Sequence, residues 1–107
     1  MARVRVCALK DLPEGGVQIV RHGGDYIAVF HREGKLYALD DTCPHMGGSL
    51  GTGYVSKEGT VTCPWHGWEF RICDGEGVWP QGIQIRTFSV LVEEGEVFVL
   101  LDEKGTN

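Results

Sequence analysis

Cys43-Pro44-His45 and Cys63-Pro64-Trp65-His66 are the residues of this chain best suited to do chemistry. Each segment puts a thiolate sulfur and an imidazole nitrogen on one short stretch. Seventeen residues separate His45 from Cys63, so the pattern reads C-x-H-x17-C-x2-H. Two such segments facing each other supply two sulfur and two nitrogen donors, which is a metal-ligand set. Zinc is one candidate, since two cysteines and two histidines often hold it, but its usual spacing pairs cysteine with cysteine and histidine with histidine. Here each segment mixes the two. That order suits a [2Fe–2S] cluster with cysteines on one iron and histidines on the other. Each segment then spans both irons, giving its cysteine to the inner one and its histidine to the outer one.

The runs Cys43-Pro44-His45-Met46-Gly47-Gly48 and Cys63-Pro64-Trp65-His66-Gly67-Trp68 resemble the two boxes of the Rieske family. The resemblance covers most of the chain. It implies that Cys43, His45, Cys63 and His66 hold one [2Fe–2S] cluster, with both histidines near the surface. It also implies an all-β fold, an antiparallel β-sandwich with a small cluster-binding subdomain inserted between its strands. Met46 stands where the family places an apolar shield, and Trp79-Pro80 resembles the family's loop that closes over the cluster. Gly47, Gly48, Gly51, Gly53 and Gly67 allow tight turns with N–H groups near sulfur, although Gly51 and Gly53 are equally well read as ordinary loop glycines. Trp65 and Trp68 could pack beside the cluster, and plain core packing explains them equally well.

Two Fe(III), two sulfides and two thiolates sum to zero charge, and one electron takes the site to −1. A four-cysteine cluster starts two units more negative, so this one accepts an electron more readily. Respiratory members of the family carry an extra cysteine in each box, joined as a disulfide; here those places hold Gly48 and Trp65. They also place hydroxyls two and four residues after the second histidine, where this chain has Trp68 and Phe70. Without hydroxyl donors to sulfur the reduced state is less stabilised, and the potential should lie near about −150 mV, low in the Rieske range.

The elements that must position these boxes read as β throughout. Arg3–Leu9, Val17–Arg21, Tyr26–His31, Leu36–Leu39, Thr87–Val92 and Glu96–Leu101 are strand candidates. His22-Gly23-Gly24-Asp25, Arg32-Glu33-Gly34-Lys35 and Glu93-Glu94-Gly95 read as turns between them. One helical turn at most fits Asp11–Gly15. Strands lie on both sides of residues 40–78, which therefore read as an insertion carrying the functional loops.

A length of 107 residues suits one domain spanning 1–107, and 42% hydrophobic content is globular. No apolar run has the length of a membrane span and no secretory signal is evident, which favours the cytoplasm. A net charge of −5 argues against nucleic acid and fits docking on a basic protein surface. Cys7 and Cys73 sit at no ligand spacing and are expected to be free, largely buried thiols rather than a disulfide. His22 and His31 are expected at the surface. No nucleophile–base pair or phosphate loop suggests catalysis. The resemblance implies a one-electron carrier between a flavin-dependent ferredoxin reductase and a terminal oxygenase of a dioxygenase system. The small Rieske subunit of an assimilatory nitrite reductase, or a structural zinc or redox-sensing domain, are the alternatives.

Overall fold

The computed structural model describes residues 2–43, 48–65 and 67–101. The strands are β1 (Ala2–Ala8), β2 (Val17–His22), β3 (Asp25–Arg32), β4 (Lys35–Asp40), β5 (Tyr54–Val55), β6 (Thr60–Thr62), β7 (Glu69–Arg71), β8 (Gly77–Trp79), β9 (Thr87–Glu93) and β10 (Glu96–Leu101). All pairing between them is antiparallel. A six-stranded sheet runs β1-β10-β9-β4-β3-β2, and a four-stranded sheet runs β5-β6-β7-β8. No helix among the described residues is long and apolar enough to cross a membrane.

The hairpins form where the turn chemistry predicts. Arg32 pairs with Lys35 across Glu33–Gly34, at φ 52° and 77°. Glu93 pairs with Glu96 across Glu94–Gly95, at φ 53° and 78°. Two successive positive φ values match the right-handed twist of the flanking strands, and glycine takes the second at no steric cost. The helical turn expected over Asp11–Gly15 lies earlier, as a 3-10 turn over Leu9–Asp11. Pro13 is the cause, because the residue before proline is pushed out of helical backbone; Leu12 sits at φ −130°, ψ 73°. A second 3-10 turn, Leu50–Thr52, follows the first cysteine box.

β3 separates two cores. Successive side chains of a strand point to opposite faces. Ile27 and Val29 therefore join Cys7, Leu12, Ala38, Val97 and Val99 inside the six-stranded sheet. Ala28 and Phe30 face the other way, into a second core with Leu39, Cys43, Leu50, Val61, Cys63, Phe70, Ile72 and Ile85. This second core glues the small sheet to the large one.

The insertion is longer than residues 40–78. Ile85 is still buried in the second core, and the chain rejoins the large sheet only at β9. Its two ends are tied: Asp40 N–H donates to the Arg86 carbonyl at 3.0 Å, and the Arg86 guanidinium donates to both Asp40 carboxylate oxygens at 2.8 and 2.9 Å. Arg86 also reaches Asp25 at 3.0 Å. These two carboxylates raise the Arg86 pKa above its already high value, with Asp40 the larger cause.

Candidate metal centre

Two loops of matching construction leave the same core. In the first, Thr42 bridges to Ser49, and Cys43 N–H donates to the Gly48 carbonyl at 2.8 Å. In the second, Thr62 pairs with Glu69, and Cys63 N–H donates to the Trp68 carbonyl at 2.7 Å. Each loop is thus closed by a bond from its cysteine to the residue five positions on. Cys43 and Cys63 are 1% and 3% exposed and belong to one apolar core. The loops also meet. A side-chain carbon added to Gly48 would stand 2.9 Å from Cys63 Sγ and 3.1 Å from Trp65 Cγ. The Trp65 ring lies against Gly48 while 60% of the residue stays exposed.

Polar groups hold each loop at its base. Asp41, 5% exposed, accepts from Ser49 Oγ at 2.8 and 2.9 Å and from Gly51 N–H at 2.6 Å. Under the second loop, Thr60 Oγ1 donates to Glu69 Oε2 at 2.6 Å, and Ser56 Oγ lies 2.7 Å from Thr60 Oγ1. Inside that loop, Gly67 N–H donates to the Cys63 carbonyl at 3.2 Å. Tyr54, Thr62, Glu69 and Trp79 stand in one row across the small sheet, at the end that bears the second loop.

Of the predicted ligands, Cys43 and Cys63 are brought together. His45 and His66 lie outside the described residues, as do Pro44, Met46 and Gly47. Several other expectations are corrected. Gly51 and Gly53 do not turn their amides to sulfur: their N–H groups go to Asp41 and to the Leu50 carbonyl. Gly53 is glycine because a side-chain carbon there would fall 2.1 Å from the Thr62 carbonyl oxygen. Trp65 is not a core residue, whereas Trp68 is half-buried against the core. Cys7 is the buried free thiol expected, but Cys73 is exposed. Cys73 falls in the turn after β7, and its neighbour Ile72 takes the inward position. His31 is not a free surface side chain. Its Nδ1–H donates to the Leu12 carbonyl at 2.7 Å and its Nε2 stands 3.5 Å from Glu14 Oε1.

Sequence reasoning missed Asp41 and Ser49. The available signal was an acidic residue just before the first box and a hydroxyl just after it, at the mouth of a loop that must be held shut.

The donor set fits a binuclear iron cluster. Two thiols sit in one dry core where two loops touch, and each loop carries a histidine two or three residues past its cysteine. Sulfur is thereby offered from the inside and nitrogen from further along each loop, as mixed cysteine–histidine ligation of two irons demands.

Comparison with known proteins agrees. The chain is 33% identical over 97% of its length to the 3-phenylpropionate/cinnamic acid dioxygenase ferredoxin subunit of Photorhabdus laumondii, covering 99% of that protein. It is 32% identical over 90% of its length to the ferredoxin component of the alkene monooxygenase system of Xanthobacter autotrophicus, covering 79% of it. A chain in the solved complex of reduced oxygenase and oxidized ferredoxin of carbazole 1,9a-dioxygenase superposes with a TM-score of 0.83 at 34% identity, over 91% of each chain. The sequence profile of the Rieske [2Fe-2S] domain matches residues 2–89, which takes in both cysteine loops and both sheets up to β9. The chain therefore belongs to the Rieske [2Fe–2S] domain family, and its cofactor is a [2Fe–2S] cluster.

Proposed function

We propose that Cys43, His45, Cys63 and His66 hold the cluster and that the chain is a one-electron carrier, a ferredoxin rather than an enzyme in its own right. It takes an electron from a flavin-dependent reductase and passes it to a terminal oxygenase. The observation that carries this reading is the meeting of the two cysteine loops, where Cys63 Sγ fills the space beside Gly48. The bound cluster supplies reversible uptake of a single electron. The protein holds the donors: a closed loop under each cysteine, and a core that keeps water from both sulfurs.

The partner assignment rests on the relatives, which are ferredoxin components of oxygenase systems, one of them solved in complex with its oxygenase. One domain over residues 1–107 is supported by β10, which lies beyond the matched region yet pairs with both β1 and β9. The free thiols of Cys7 and Cys73 suit a reducing compartment, the cytoplasm.

The test is iron and sulfide analysis of the purified protein, its EPR spectrum after reduction, and stopped-flow transfer from a reductase to an oxygenase. Two irons and two sulfides per chain, with turnover of the oxygenase dependent on this protein, are expected. Zinc in place of iron would end the reading. A large partner that stays bound through purification would make the chain a fixed subunit instead of a mobile carrier.

A further inference from the structure

The geometry points to Asp41 as a positioning residue of the first cysteine loop whose buried charge also holds the cluster's reduction potential down. This rests on the proposal that Cys43, two residues along, is a cluster ligand.

Asp41 is the only buried carboxylate among the described residues. Each of its polar groups is used at the mouth of the loop. Its N–H donates to the Tyr26 carbonyl of β3 at 2.8 Å, and its own carbonyl accepts from Leu50 N–H at 2.7 Å. Its carboxylate crosses to the far side of the loop, to Ser49 Oγ and Gly51 N–H. Gly51 is shaped to this contact: a side-chain carbon there would lie 2.9 Å from Asp41 Oδ1 and 2.7 Å from Ile19 Cδ1. The segment before Cys43 is thus locked to the segment after Gly48, and the arc between them carries the first box. An ordinary loop aspartate capping a turn needs fewer of these contacts and need not be buried.

Asp41 brings charge as well as hydrogen bonds to the loop. The Asp41 carboxylate accepts from Ser49 Oγ and from Gly51 N–H. Among the described residues its partners are a hydroxyl and an amide, with no lysine or arginine. Arg86, the cation attached to the neighbouring Asp40, is committed to Asp40 and Asp25. A buried anion with no cation paired to it among the described residues acts strongly on its surroundings because little water screens it. Reduction adds one electron from the donor and no compensating cation, so the site becomes more negative by one unit. A fixed negative charge nearby opposes that step and lowers the potential.

The experiment compares the wild-type holoprotein with Asp41→Asn, Asp41→Ala and Ser49→Ala. Iron per chain, the EPR spectrum of the reduced form, iron loss to a chelator and the midpoint potential are read for each. Asp41→Asn keeps an acceptor for Gly51 N–H and a donor for Ser49 Oγ while removing the charge. It should keep its iron and its EPR spectrum and show a higher potential. Asp41→Ala removes the clasp and should lose iron about tenfold faster. Ser49→Ala keeps the charge and should lose iron faster with no rise in potential.

A potential in Asp41→Asn at or below wild type overturns the charge role. A rise in Ser49→Ala equal to that in Asp41→Asn overturns it too, by showing that the potential follows loop distortion. Iron retention in Asp41→Ala equal to wild type overturns the clasp, and so does an Asp41→Asn protein that takes up no iron. A wild-type protein without iron would instead defeat the ligand assignment on which the proposal rests.

Discussion

Gly48 of the first cysteine loop and Cys63 of the second are in such close contact that any side chain on Gly48 would stand 2.9 Å from Cys63 Sγ. Here the two halves of the metal centre meet. Gly48 occupies the place where respiratory relatives form a cross-link between loops, as does Trp65, whose ring lies against it.

Gly48→Ala should therefore strain the meeting point. Overpacking a filled site costs about 1–3 kcal/mol, and here the strain falls on the Cys63 sulfur. A lower unfolding temperature and a lower iron-to-chain ratio are expected. Gly24→Ala is the control: its side-chain carbon meets nothing within 4 Å, so stability should move by less than about 0.5 kcal/mol. Equal behaviour of the two variants in thermal melts and iron assays would contradict the contact.

The midpoint potential should lie near about −150 mV. Trp68 is half-buried and Phe70 fully buried in the core, and neither has a hydroxyl to offer a sulfur. Protein-film voltammetry at neutral pH returning a value well above zero would show that other donors reach the sulfurs.

That potential should fall at alkaline pH. Imidazoles bound to ferric iron become more acidic, because the metal charge favours the deprotonated form. With His45 and His66 as the proposed ligands, loss of a proton from either would make the oxidised site more negative and harder to reduce. A potential constant up to about pH 11 would argue against histidine ligands.

Cys7 and Cys73 should react differently. Burial, the largest cause, raises the Cys7 thiol pKa, with Asp11 adding to it, and the thiolate is the reactive form. Cys73 is exposed. Iodoacetamide should label Cys73 in the native holoprotein and Cys7 only after denaturation. Mass spectrometry of peptides from native protein labelled at Cys7 would contradict the fold around β1.

Glu14 should titrate low. Gly34 N–H, the larger cause, and Glu33 N–H both donate to its carboxylate and lower its pKa from 4.5. A carboxylate with a depressed folded-state pKa contributes stability above its unfolded value, and that contribution is lost as pH falls through the folded value. The hold on the β3–β4 turn should therefore persist through pH 4.5 and weaken only below it. The Glu33 and Gly34 amide proton shifts report this in an NMR titration. A midpoint at or above 4.5 would show that the contact is absent in solution.

Much of the architecture was open to reading because it is local. Glu33–Gly34 and Glu94–Gly95 need positive φ at both turn residues, and residue type alone announces that. The alternation Arg3-Val4-Arg5-Val6 announces one inward face, and Val4 and Val6 do pack against the core while Arg3 and Arg5 stay exposed. β3 announced less. Its run Ile27–Phe30 is buried on both faces, and a continuous apolar run does not say which core each residue joins. The far end of the insertion was hidden for a similar reason: Arg86 is tied to Asp40, 46 residues back.

Taken alone, the order of amino acids determined the chemistry on offer, two cysteine–histidine boxes and the β-hairpins that carry them. Donor spacing and turn type depend on residues a few positions apart, so they are written locally. What only the tertiary structure decided is how those donors are brought together: Cys63 against Gly48, Asp41 buried across the mouth of the first loop, Cys73 left exposed while Cys7 is covered. Burial, and contact between residues well separated along the chain, depend on the path of the whole chain, since any one strand can be covered by many others. That path is settled by packing two cores on opposite faces of β3, a collective balance of apolar burial that no short segment carries in itself.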